Sequence, residues 1–162
     1  MVKRKKKRQS PRQKPKQGQK KRIVSFLKNE RVHFISGVIV AFIGIFMLLA
    51  IISFFFTGAA DQSKVINKTY MEVVRSGASE IDNWTGAGGA YVAERLVNDW
   101  FGLFSALIPI LLIHIGLSIM NVTKLSFLKA LFITAFGLIG GSVTSAFILD
   151  RLFPDTHVKW GG

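Results

Sequence analysis

"FISGVIVAFIGIFMLLAIISFFF", residues 34 to 56, is a run of 23 residues without a charge. As an α-helix at about 1.5 Å per residue it is about 34 Å long, enough to cross a hydrocarbon core of about 30 Å. Sixteen of the 23 are Leu, Ile, Val or Phe, so the insertion term is on the order of −7 kcal/mol. The stretch predicts a transmembrane helix. A cleaved signal peptide is the rival, because Gly58-Ala59-Ala60 resembles a small-residue cleavage site. Signal cores run about 7 to 15 residues, and this run is longer and follows a long basic lead, so a retained anchor is the reading.

That lead is residues 1 to 33. It holds 14 of the 22 Lys and Arg of a 162-residue chain whose net charge is +13. Residues 1 to 22 contain twelve basic residues, two Pro, one Gly and no aromatic residue. Such a composition buries too little apolar surface to offset chain entropy and predicts a disordered cytoplasmic tail. Ile23, Phe26 and Leu27 share one helical face and suggest a short interfacial helix over 23–32. The cluster Lys3, Arg4, Lys5, Lys6, Lys7 and Arg8 is the candidate site for anionic lipid or DNA, and each basic residue near a charged bilayer contributes about 1 kcal/mol. The plainer reading is an orientation signal.

Two further uncharged runs follow at 100–120 and 130–149, which gives three spans with an outer loop at 57–99 and a last outer segment at 150–162. Pro109 falls inside the second run, where a kink and a freed carbonyl are expected. Segment charges alternate: +13 before the first span, −2 in the 57–99 loop, +2 over 121–129 and zero over 150–162. The positive-inside rule places the tail and 121–129 in the cytoplasm. The fold class is therefore all-α integral membrane.

Within the loop, "NWTGAGGAYVAERLVNDW" (83–100) opens on turn formers and continues with Ala93, Leu96, Val97 and Trp100 at helical spacing. Glu94, Arg95, Asn98 and Asp99 fall on the opposite face, so an amphipathic outer helix is expected. Trp84, Tyr91 and Trp100 are candidate interfacial anchors. The glycines make no nucleotide loop, since no Lys-Ser/Thr follows and the G-x-G-x-x-G spacing ends on Tyr91. Gly137, Gly141 and Ser145 recur every four residues on the third span and form a candidate helix-packing face, either within the chain or between protomers of a homo-oligomer.

The order of these features resembles the four-span N-terminal membrane domain of the FtsK/SpoIIIE DNA translocases, in the form common among Bacteroidetes. The residues that carry the resemblance are the basic tail, "ISFFFTGAADQS", "NWTGAGGAYVAERLVNDWFG" and "LIPILLIHIGL". It implies a septum-localised anchor in the bacterial inner membrane for an ATP-driven motor in cell division and chromosome segregation, with division-site membrane proteins as partners and DNA handled by the motor. It also implies that the polypeptide continues past Trp160-Gly161-Gly162 into a fourth span, a linker, a P-loop motor and a DNA-reading domain. A self-contained polybasic scaffold or pore subunit is the alternative.

Catalysis finds little support in the residues. The absence of cysteine removes thiolate metal sites and cysteine nucleophiles, no P-loop or zinc spacing occurs, and no cofactor is expected. His114 lies in mid-span and with Ser142 could suggest a rhomboid-type protease. Val143 stands where a Gly should follow the serine, so a neutral His114 hydrogen-bonded within the bundle is the reading.

Overall fold

The computed structural model describes residues 29–77 and 81–162. The cluster Lys3 to Arg8 and the interfacial helix expected over 23–32, apart from its last four residues, lie outside them. Helix α1 runs Glu30–Val65, α2 Tyr70–Gly77, α3 Gly86–Glu94, α4 Leu107–Ile119 and α5 Phe127–Leu152. Between α3 and α4 lie a π-helix over Arg95–Phe101 and a 3-10 helix over Gly102–Ala106, with a break in helical geometry at Gly102 between them. Three helical rods, Glu30–Val65, Gly86–Ile119 and Phe127–Leu152, are long and apolar enough to cross a membrane, so the protein is an all-α membrane fold.

Asn29 caps α1, its Oδ1 accepting from the Arg31 N–H at 3.1 Å. The helix then continues for 36 residues, about 54 Å at 1.5 Å per residue, well beyond the uncharged run 34–56. Ala59, Ala60, Gln62 and Lys64 are good helix formers, and the polar turns they build carry α1 out to meet the 82–85 turn. That end of the molecule is called the loop end below, and the end beside Asn29 the tail end.

α1 and the second rod are antiparallel and pack at glycines. A Cβ on Gly37 would stand 2.7 Å from the Gly116 carbonyl oxygen, and one on Gly44 would stand 2.9 Å from that of Pro109. One on Gly116 would meet the Ala41 nitrogen at 2.6 Å. Backbones this close exchange dispersion contacts that larger side chains would prevent. Pro109 occupies the first turn of α4, where its missing N–H disturbs least; the break in α-helical geometry falls upstream, in the π and 3-10 turns.

At the loop end Ala50, Ile51 and Phe54 of α1 pack with Ala93, Leu96, Val97 and Val158. Nearby Val65, Val73, Ala87 and Ala90 hold α2 against α3. Outward faces are apolar instead: Phe42, Phe136 and Phe147 are 68%, 75% and 76% exposed, as suits side chains whose solvent is lipid.

α2 starts with a capping box. The Glu72 carboxylate accepts from the Thr69 N–H at 2.7 Å and from its hydroxyl at 2.8 Å, while the Thr69 hydroxyl accepts from the Glu72 N–H at 3.4 Å. The bonds from the Thr69 backbone, then from its side chain, hold the Glu72 carboxyl below its ordinary 4.5. A depressed folded value contributes stability above the ordinary value and loses it as pH falls through the folded one. Amide exchange in residues 70–75 should therefore quicken as pH falls below 4.5, beyond the intrinsic rate change, and Glu72→Gln should flatten that response. An identical profile in both proteins would remove the carboxylate from the capping role.

Candidate functional site

The 82–85 turn is fastened to α1 by a set of polar groups. Asp61, about one and a half turns beyond the membrane run, is 2% exposed. Its two oxygens accept from the Asp82 and Asn83 N–H groups at 2.8 and 2.9 Å. One helix face further back, the Ser53 hydroxyl accepts from the Trp84 N–H at 2.9 Å. Asn83 Nδ2 donates to the Ala50 carbonyl at 3.1 Å, and its Oδ1 accepts from the Thr85 N–H at 3.0 Å and the Thr85 hydroxyl at 2.7 Å. Gly89 is required here, because a Cβ would enter the space of the Thr85 side chain and stand 3.2 Å from Asn83 Oδ1. In this stretch Gly89 thus serves close approach of side chains to backbone, whereas Gly86 serves a positive φ of 73° in open space.

A second set of bonds holds residues 157–162, a run of bends and turns, as a strap across the rods. Asn98 reads both polarities of it: Nδ2 donates to the His157 carbonyl at 3.1 Å, and Oδ1 accepts from the Lys159 N–H at 2.9 Å. Gln62 Nε2 donates to the same His157 carbonyl at 3.5 Å. The Trp160 N–H donates to Asp150 at 3.1 Å. The Trp160 carbonyl accepts from the Leu103 N–H at 3.1 Å and from the Ser145 hydroxyl, and the Gly161 carbonyl accepts from the Ser142 hydroxyl. The strap therefore joins α1, the π-helix, the 3-10 turn and α5 through its own backbone.

The π geometry explains where the expected amphipathic helix departs from the observed one. Ala93, Leu96 and Val97 are buried as the spacing predicts. Trp100 is 61% exposed instead, while Glu94 and Asn98 are 5% and 2% exposed. Bonding from i to i+5 widens the turn and shifts the phase, so Trp100 swings outward and the Glu94–Asn98 edge comes under the strap. Asn98 also donates to Glu94 Oε1 at 3.0 Å. Arg95 and Asp99 form an ion pair on the open side, a kind that contributes about 1 kcal/mol or less.

The sequence-derived candidates fall into separate places. Trp84 is 63% exposed and stacks on Phe56 at a centroid distance of 5.9 Å. Tyr91 meets the edge of Tyr70 at 5.6 Å and lies 5.3 Å beneath the Arg95 guanidinium. Gly137 and Gly141 receive the Leu107 side chain and the Phe104 ring, and Ser145 bonds the strap. Ser142 is committed to the Gly161 carbonyl, and His114 Nε2 is shielded without a hydrogen-bond partner, in place of the bond expected in the bundle. Among the described residues no three of His, Cys, Asp and Glu come together as metal ligands.

Asp61, Asn83, Asn98 and the strap were not singled out by the sequence. A signal existed for Asn83, a good helix-capping type just ahead of the apolar periodicity, and for Gly37, Ala41, Gly44 and Gly116, small residues on otherwise bulky spans. Fold and site together define an all-helical membrane module, fastened at one end by buried polar groups and open to lipid along its length. A family model described as the 4TM region of DNA translocase FtsK/SpoIIIE matches residues 29–162, and the chain belongs to that family. No curated protein and no solved structure matches the chain. Family and fold make it a membrane-anchoring domain of FtsK/SpoIIIE-type translocases.

Proposed function

We propose that this domain anchors an ATP-driven DNA translocase at the division septum, where the motor moves chromosomal DNA and this part supplies attachment and assembly. The family match over residues 29–162 carries the reading. Charge supports a topology in which the tail and 121–129 face the cytoplasm and the 57–99 loop and the 150–162 segment face outward, since the four segments carry +13, +2, −2 and zero. Exposed Trp84 and Trp100 would lie at the outer interface. Division-site membrane proteins and further copies of the chain are the proposed partners, and the basic residues Lys3 to Arg8 are proposed to hold anionic lipid.

Topology has a direct test, because the chain contains no cysteine. Single cysteines at Ser63 and Ser126 should react with an impermeant maleimide in intact cells only at position 63. Labelling at 126 alone would invert the arrangement. A fluorescent fusion of the chain should concentrate at mid-cell in dividing cells, and an even rim around the cell would overturn the septal assignment.

A further inference from the structure

At the tail end a cavity of about 810 Å³ opens between the first turns of α1 and the end of α4. Its described lining changes character over about one helical turn. Arg31, His33 and Glu30 stand at the rim, and Phe34, Ile119 and Met120 form the apolar part. Phe34 is also the first residue of the uncharged run, and beyond Met120 the chain reverses at Asn121 with φ 57°. The cavity therefore straddles the level at which both rods leave the hydrocarbon. Below it the helices close at Gly37, where a Cβ would stand 2.5 Å from Met120 Cγ. The volume lies within the range of about 300 to 1,000 Å³ common to small-molecule sites.

A cavity in that position is filled badly by water, which leaves Phe34 and Met120 wet, and badly by acyl chains alone, which leave Arg31 dry. The group with a charged head joined to an apolar stem over that distance is a phospholipid. Charge selects its sign: the one carboxylate of the described lining, Glu30, stands against Arg31 beside it and Lys124 and Lys129 at the same end. A guanidinium also matches two phosphate oxygens in a bidentate pair. From the cavity, Ile35, Val38 and Phe42 continue down one face of α1 at 57%, 43% and 68% exposure, a track for acyl chains.

We propose that the tail-end cavity binds one anionic phospholipid, its phosphate on Arg31 and its acyl chains along Ile35, Val38 and Phe42. The site rests on α1 spanning a membrane and is independent of the translocase assignment. It differs from attraction of the basic tail to a charged surface, which added salt screens.

The test is native mass spectrometry of the whole chain in detergent, titrated with phosphatidylglycerol or phosphatidylcholine after a wash at about 0.5 M salt, where the Debye length is only about 4 Å. The wild type should retain one phosphatidylglycerol in preference to phosphatidylcholine. Arg31→Gln should lower that occupancy about tenfold, the value of a lost charge-assisted bond, and Met120→Trp, which fills the cavity, should lower it similarly. Neutralising Lys3 to Arg8, whose diffuse attraction to lipid the salt wash screens, should leave this retained lipid unchanged. Circular dichroism checks that each variant keeps its helices. Equal retention of the two lipids, full occupancy in Arg31→Gln, loss in the tail variant, or displacement by inorganic phosphate alone would each overturn the site.

Discussion

Asp61→Ala is expected to unfasten the 82–85 turn and lower the thermal midpoint of the domain in detergent. The carboxylate is 2% exposed and is the acceptor for two backbone N–H groups at 2.8 and 2.9 Å. Alanine leaves both donors without a partner where water scarcely reaches. Each such group costs about 1 to 3 kcal/mol, so the loss is about 2 to 6 kcal/mol, a large fraction of a typical stability of about 5 to 15 kcal/mol. Asp61→Asn should lose less, since it keeps one acceptor oxygen, yet it turns an amide donor toward the other N–H. Hydrogen exchange in residues 82–86 reads the effect locally, because the Asn83 and Trp84 bonds to Ala50 and Ser53 depend on the same turn. If exchange there and the thermal midpoint both match the wild type, the clasp is not held by Asp61.

The three rods were legible because their signal is one of exclusion: no Lys, Arg, Asp or Glu occurs in 34–56, 100–120 or 130–149. A charge in the hydrocarbon costs about 2.5 to 3.5 kcal/mol on insertion scales, so uninterrupted apolar runs carry their fold with them. Helix ends were not legible in the same way. Past Phe56 the apolar pattern stops at "TGAADQSKV", yet α1 continues to Val65, because its later turns are held by partners more than 20 residues away in the chain, as Asp61 is by Asp82 and Asn83. The period of 3.6 misplaced Trp100 and Asn98 because it assumes α geometry through a segment that is π. The strap was hidden for a different reason. Its contacts run through backbone groups, which every residue possesses and no side-chain pattern announces.

The small-residue face of the third rod shows how one sequence feature admits two structures. Gly137, Gly141 and Ser145 could receive a second protomer or a segment of the same chain, and spacing by four is blind to the difference. In this structure Leu107, Phe104 and the Trp160 carbonyl occupy the stripe. Gly140 lies off that face, with nothing within 4 Å of where its Cβ would be. The two positions, one residue apart, therefore carry opposite expectations for substitution.

That contrast supplies the control for a second large effect, Gly102→Ala. Gly102 has φ 58° and ψ −139°, a region in which L-residues carry about 1 to 3 kcal/mol of strain. Its missing Cβ also faces the strap: an added methyl would overlap the Trp160 carbonyl and stand 2.7 Å from the Gly161 nitrogen. The backbone there is itself bonded, from the Leu103 N–H to the Trp160 carbonyl at 3.1 Å, so relief must come from the strap moving away. Movement gives up that bond, the Ser145 and Ser142 bonds and the packing of Trp160 on Val97 and its neighbours. With each net hydrogen bond at about 0.5 to 1.5 kcal/mol, strain and lost bonds together come to about 3 kcal/mol or more. Gly140→Ala, in open space within a helix, should be neutral or stabilising by up to about 1 kcal/mol. In a Trp84→Phe, Trp100→Phe background Trp160 is the one tryptophan left, and excitation at the red edge of its absorption, where Tyr70 and Tyr91 do not absorb, reads it alone. Gly102→Ala should shift its emission to the red as the indole leaves the rods, while Gly140→Ala should not. An unshifted spectrum with an unchanged thermal midpoint would mean that the strap tolerates a side chain at 102 and that the turn is not what seats it.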